Sequence, residues 1–361
     1  MTALAGAAGA ERLSPGPPPR RLARLGWVTW RQHRATLIGV GLFTALVAGY
    51  MLISGLRLHQ LGNAAVQNGC VQPSHLTAPC RPILSPFSNG WAISYASVLN
   101  LLLPVPAIAI GVFLGAPLLA REYGSGTTRF AWTQATTRTR QTVAKLALLG
   151  LAVLAVGAVL GWLGQWSMQP VSALTADQYD RWEPFLFVAT PVTAAAGAGL
   201  AFAAGVLAGV VTRRVVPAMA VTVVVTAGFA YLTYNQLHYW LLSLGQRQSA
   251  DPALGGGASV GYAGATNDLH RLFFFGVGGR AGAWVDQGWY AGPDRRPLSW
   301  AQLERIWGHP KLLAQLHDTF QVTWQPVGRY WLFQSAQGGT EVLLALLLGA
   351  LAVWLVRRRM A

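Results

Sequence analysis

The sequence predicts an all-α integral membrane protein: six transmembrane helices, both termini cytoplasmic, and an extracytoplasmic insertion between helices 5 and 6. Three observations lead there. Of 361 residues, 53% are hydrophobic and only 11% are charged, whereas a soluble domain carries roughly 25% charged residues. The hydrophobic residues gather in runs near 35–56, 96–119, 143–166, 185–211, 215–240 and 340–356, each close to the ~20 residues that cross a bilayer. The basic residues flank these runs instead of entering their interiors.

Taken in order, residues 1–24 are rich in Ala, Pro and Arg and read as a disordered basic tail. The stretch Leu22–Arg34 contains Trp27, Trp30, Arg31 and Arg34. It suits an amphipathic helix lying among lipid headgroups; the plainer alternative is a juxtamembrane extension of the first span. Residues 25–240 hold helices 1–5, with a cytoplasmic loop at 120–142. Segment 241–339 is rich in Gly, Trp and Arg and reads as an extracytoplasmic subdomain, with weak helical patterning at Ser299–Phe320. Residues 340–361 supply helix 6 and a basic C-terminus.

Orientation follows from Arg and Lys in short loops, which favour the cytoplasmic side. Arg12, Arg20, Arg21, Arg24, Arg31 and Arg34 precede the first span. Arg121, Arg129, Arg138, Arg140 and Lys145 lie between the second and third, Arg213 and Arg214 between the fourth and fifth, and Arg357–Arg359 after the sixth. The shorter loops on the other side hold only Arg57, Arg81 and Arg181. Trp91, Tyr95, Trp162, Trp166, Tyr239, Trp240, Tyr330 and Trp331 fall near the outer ends, as an interfacial aromatic belt requires. The net charge of +15 raises a nucleic-acid reading, but its distribution around apolar runs belongs to membrane topology, and no recognition motif accompanies it.

Candidate chemistry is sparse. Cys70 and Cys80 stand on the outer side, either joined as a disulfide or as two separate thiols; they form no CxxC zinc motif. His309 and His317 lack the spacing of a helical metal pair. Gly276–Ala281 fits a GxGxxA fingerprint without the βαβ context that gives it meaning. No catalytic residue and no metal site emerges, and the chain binds no cofactor of its own. Within the spans no Asp, Glu, Lys or Arg is expected at depth, Glu341 being read as an outer-edge residue, which argues against an ion-driven carrier. Asn100 is the polar group expected to be buried in a span, either bonding between helices or lining a path. Pro104, Pro106 and Pro117 should kink the second span. Gly111–Gly115, Gly157–Gly161 and Gly205–Gly209 permit close helix approach, within one chain or between two.

The most informative segment is the loop after the second span. Glu122 is its only acid; Gly124 and Gly126 interrupt helix, and Thr127 or Thr128 can cap a new short one. Phe130 and Trp132 are large aromatics that a mere linker does not need. They serve either a protein contact or an interfacial helix. Glu122, Gly126, Thr127, Arg129, Thr137, Arg138 and Lys145 together resemble the first cytoplasmic loop of ABC-2 type transporter permeases. The six-span layout, the leading helix at 22–34 and the Arg357–Arg359 ending match too, and Trp30–Arg34 resembles the start of actinobacterial-type members. Segment 241–339 departs from the family by its size.

The resemblance implies the membrane-spanning subunit of an ATP-driven exporter in the plasma membrane, paired with an identical or different second permease subunit. It implies a cytoplasmic ABC ATPase, carrying ATP and Mg, docked on Arg121, Glu122, Gly126, Thr127, Arg129, Phe130, Trp132, Arg138 and Arg140. The chain has no phosphate-loop motif, so ATP hydrolysis belongs to that partner. Two other classes compete: a membrane enzyme using Asp286, Asp294, Glu304, His309 and His317 in 241–339, and a non-transporting sensor or assembly protein.

Overall fold

A computed structural model describes residues 19–70, 80–88, 90–124, 138–174, 181–245, 247–249, 284–290, 302 and 320–360. Helix α1 runs unbroken over Pro19–Gln67. It includes the stretch expected to lie separately in the headgroups, so the plainer reading holds: Leu22–Arg34 continues the first span. Its 49 residues extend about 73 Å at 1.5 Å per residue, well beyond the ~30 Å hydrocarbon core. The second span is assembled from pieces: α2 Cys80–Ser88, α3 Trp91–Leu102, α4 Pro104–Ala109, a π-helical turn Ile110–Gly115, and α5 Ala116–Gly124. Pro104 opens α4, where its missing N–H costs nothing.

Helix α6 covers Arg138–Leu174, a short α7 Pro184–Val188, and α8 Pro191–Thr212. Helix α9 is Val215–Leu232, followed by a π-helical turn Thr233–Leu237 and α10 His238–Ser243. The last helix, α11, spans Tyr330–Met360. Among the described residues six stretches are long and apolar enough to cross a membrane: Arg34–Gln67, Cys80–Arg121, Thr142–Leu174, Pro191–Thr212, Val215–Ser243 and Tyr330–Arg358. The sixth thus begins about ten residues before the apolar run suggests.

Segment 241–339 contains strands that the sequence did not announce: β1 Arg247–Ser249, β2 Trp284–Tyr290 and β3 Phe320–Gln325, an antiparallel sheet in the order β1-β3-β2. A bulge interrupts the β2–β3 register at Val285/Gln287. The sheet is tied to the bundle by side chains. Gln325 Nε2 donates to the carbonyls of Leu242 (3.0 Å) and Leu244 (2.9 Å), and Arg329 Nη1 donates to the carbonyl of Gly245 at 2.6 Å.

Helix α8 is the central post. Of its most apolar stretch 67% is buried, against 17% for the first, fifth and sixth spans, whose outer faces are left for lipid or another subunit. Small residues make that centrality achievable. A Cβ on Gly115 would stand 2.6 Å from the Phe202 carbonyl oxygen, and one on Gly157 2.7 Å from that of Ala194. Gly205 lies directly on Gly111, and Gly209 on Ala116. All three glycine pairs therefore pack within the chain, the second and third spans closing on α8 from two sides.

Two cores fix which helix ends lie together. Val47, Met51, Leu58, Tyr95, Leu99, Leu163, Met168 and Phe185 form one. Leu114, Leu118, Leu149, Val153, Val206, Val210, Ala352 and Val356 form the other. The second core gathers the ends that carry Arg121, Lys145, the Arg213–Arg214 turn and Arg357–Arg358. The first lies toward the disulfide joining Cys70 and Cys80, whose Cα atoms are 5.5 Å apart. Arg213 itself takes a left-handed conformation (φ 56°), and its N–H caps the Gly209 carbonyl at 3.0 Å. A left-handed non-glycine residue costs about 1–2 kcal/mol, accepted here in return for a two-arginine turn.

Candidate functional site

Two features qualify. The first is the loop between α5 and α6. Arg121 is exposed at the end of α5, and Glu122 continues that helix. Gly126, Thr127, Arg129, Phe130 and Trp132 lie outside the described residues, and Arg138 and Arg140 are described only as the first turn of α6. Of the residues considered for an enzyme site, Asp294, Glu304, His309 and His317 also lie outside the described residues, while Asp286 falls on β2. Among the described residues no group of three His, Cys, Asp or Glu is placed to hold a metal.

The second feature is a cavity of about 300 Å³ lined by residues of the second to sixth spans. Its walls are almost entirely apolar: Pro106, Ile110, Leu160, Leu200, Val225 and Phe229 are typical. The two π-helical turns border it through Ile110 on one side and Thr233 and Tyr234 on another. Such wide turns cluster at functional sites because they displace side chains out of the regular helical ladder.

A carboxyl group enters this cavity. Glu341 sits 11 residues past the start of the 31-residue α11, about 16 Å along its axis, and only 3% of it is exposed. Its position corrects the sequence reading twice. It is not an outer-edge residue, and the premise that no acid lies within a span fails. The cause is a polar run, Gln334 to Thr340, that masks the true start of the helix. Part of that run is interior: Gln334 and Gln337 are buried on one helical face with Tyr330, Phe333 and Glu341, while Ser335 and Thr340 of the run, and Trp331, Leu332 and Leu343, are exposed. That i, i+3, i+4 periodicity is the signal in the sequence that could have placed them.

Gln334 is the polar hub at the disulfide-bearing end. Thr190 Oγ1 donates to its Oε1 at 2.7 Å; its Nε2 donates to the Phe187 carbonyl (2.8 Å) and to Tyr330 Oη (3.2 Å). His238 Nε2 is 2.7 Å from the Trp182 carbonyl, and Trp182, Phe187, Tyr330 and Phe333 pack as an aromatic cluster beside it. One turn further along α11, satisfaction ends. Gln337 Nε2 reaches Glu341 Oε1 only at 3.4 Å, and among the described residues Gln337 Oε1 and Glu341 Oε2 have no hydrogen-bond partner. Neither do the buried hydroxyls of Thr233 and Tyr234. Among the described residues no Lys or Arg lines the cavity.

Asn100, expected to be buried in a span, is exposed on α3. Near it, the polar side chains that meet between helices are others: Tyr95 Oη donates to Ser167 Oγ at 2.7 Å, and His59 stacks on Trp166 at 4.6 Å.

Fold and site together define a multi-pass α-helical membrane protein with a cavity inside its helical bundle. Residues 41–237, more than half of the chain, match the family described as ABC-2 membrane transporter related. The chain belongs to that family, which points to a transport subunit rather than an enzyme. No curated protein and no solved structure matches it.

Proposed function

We propose that the chain is the permease subunit of an ATP-driven exporter in the plasma membrane, of the actinobacterial type, working in a pair with a second permease subunit. A separate ATPase docks on loop 120–142, ATP and Mg being bound there and not here. Segment 241–339 then stands outside the cell, and both termini inside. The supporting observation is the family match over 41–237, joined to the gathering of Arg121, Lys145, Arg213, Arg214, Arg357 and Arg358 at one end of the bundle. The disulfide sits toward the other end, as an oxidising compartment favours.

Affinity capture of the chain from native membranes should recover an ATPase carrying a phosphate loop. Paired reversal of Glu122→Lys and Arg129→Glu should cut that recovery at least about tenfold, the scale of losing charged anchors from an interface. Recovery unchanged by every substitution in 120–142 would refute docking there.

A further inference from the structure

The cavity described above has walls and a polar point of different chemistry. Apolar side chains line it; of the polar ones, Thr193 and Thr226 donate to backbone carbonyls, whereas the Thr233 and Tyr234 hydroxyls and Glu341 Oε2 have no partner among the described residues. In hydrocarbon an unsatisfied polar atom costs several kcal/mol, and so acute an absence at several neighbouring atoms invites an occupant. Glu341 Oε2 faces α8 at Gly197, where a Cβ would lie 3.6 Å from it. With no side chain at Gly197, which also lines the cavity, nothing from α8 but backbone stands against that oxygen.

The donor–acceptor inventory narrows the occupant. Glu341 is the residue of the last helix that brings a charged group to the cavity wall; Gln337 Nε2 donates to its Oε1, and its Oε2, a carboxylate acceptor when ionised, has no partner among the described residues. A cationic group with several donors and no acceptor answers that carboxylate, and an ammonium carries three donors. A hydroxyl offers one donor only, and a carboxylate none. Phe229 and Tyr234 add aromatic rings to the same wall, surfaces that also attract a cation. We infer that the cavity is a binding site for small, compact, largely apolar molecules bearing one amine, with Glu341 as the residue that holds the amine. The inference rests on the transporter reading and supplies its substrate class.

Equilibrium binding tests it on the purified full chain in lipid nanodiscs, with tritiated 1-aminoadamantane as the amine probe and 1-adamantanol as its neutral counterpart. Empty nanodiscs subtract partition into lipid. The amine binds the wild type saturably and at least about tenfold more tightly than the alcohol, as a charge-assisted hydrogen bond provides. Glu341→Gln removes that preference while leaving alcohol binding within about threefold, and Glu341→Asp retains part of it. Gly197→Leu, which places a side chain against Glu341, weakens both probes. A melting curve and gel filtration establish that each variant is folded. Equal binding of both probes to wild type, no saturable binding of either, or amine binding unaffected by Glu341→Gln, overturns the inference. No ATPase enters the assay, so failure of docking on loop 120–142 leaves its result untouched.

Discussion

Gly205→Leu should yield no folded bundle, and Gly205→Ala should lose about 2–3 kcal/mol of stability, the cost of overpacking a filled interior. The reason is local. A Cβ at Gly205 would overlap the Gly111 carbonyl oxygen and come within 2.9 Å of the Ala116 amide nitrogen. Both are backbone atoms of the second span, so neither can swing aside. The second span must then leave α8, taking with it the Leu114 and Leu118 contacts of one core. Gly228 and Gly349 have nothing within 4 Å of where a Cβ would stand. Their alanine variants should be neutral or gain up to about 1 kcal/mol from helix propensity. Thermal unfolding in detergent, followed by circular dichroism, measures all four. An unaltered Gly205→Ala midpoint would mean that the two spans do not touch there.

Gln334→Leu should cost about 2 kcal/mol although it preserves volume and adds apolar surface. Two effects oppose each other. Leucine is better solvated by hydrocarbon than an amide, but its arrival strips partners from Thr190, Tyr330 and Phe187. An orphaned buried group costs about 1–3 kcal/mol. Thr193 limits the damage, since it stays 2.9 Å from the Thr190 hydroxyl and donates to the Phe187 carbonyl at 3.1 Å. A double-mutant cycle with Thr190→Val isolates the pair. Its coupling should be about 1 kcal/mol, within the range for polar contacts between membrane helices. Strict additivity would deny that Gln334 joins α11 to the start of α8.

These two sites mark what hydropathy can and cannot disclose. The spans were legible because lipid demands a long apolar surface, and the Arg-rich turns because a short loop holds its charge at one side. The glycine pairs were visible as spacings, yet spacing alone does not say whether the partner is this chain or another. The buried polar face of α11 was invisible to a window average. Gln334 and Gln337 lower that average as much as solvent-facing residues would, and only their helical phase tells them apart. Glu341 was misplaced for the same reason. The sheet escaped because β1 and β3 are short and more than seventy residues apart, with no local pattern to pair them. Asn100 failed differently: burial was inferred from polarity, whereas the helix simply turns that residue outward.

Loop 120–142 can meet a cytoplasmic ATPase only from the cytoplasmic face of the bilayer. Single cysteines introduced at Thr133 and at Ala176 decide its side with a membrane-impermeant maleimide, since the two native cysteines are already joined. The account predicts that Ala176→Cys is labelled in intact cells and that Thr133→Cys is labelled only after the cells are opened. Labelling of Thr133→Cys in intact cells, with Ala176→Cys protected, would contradict it.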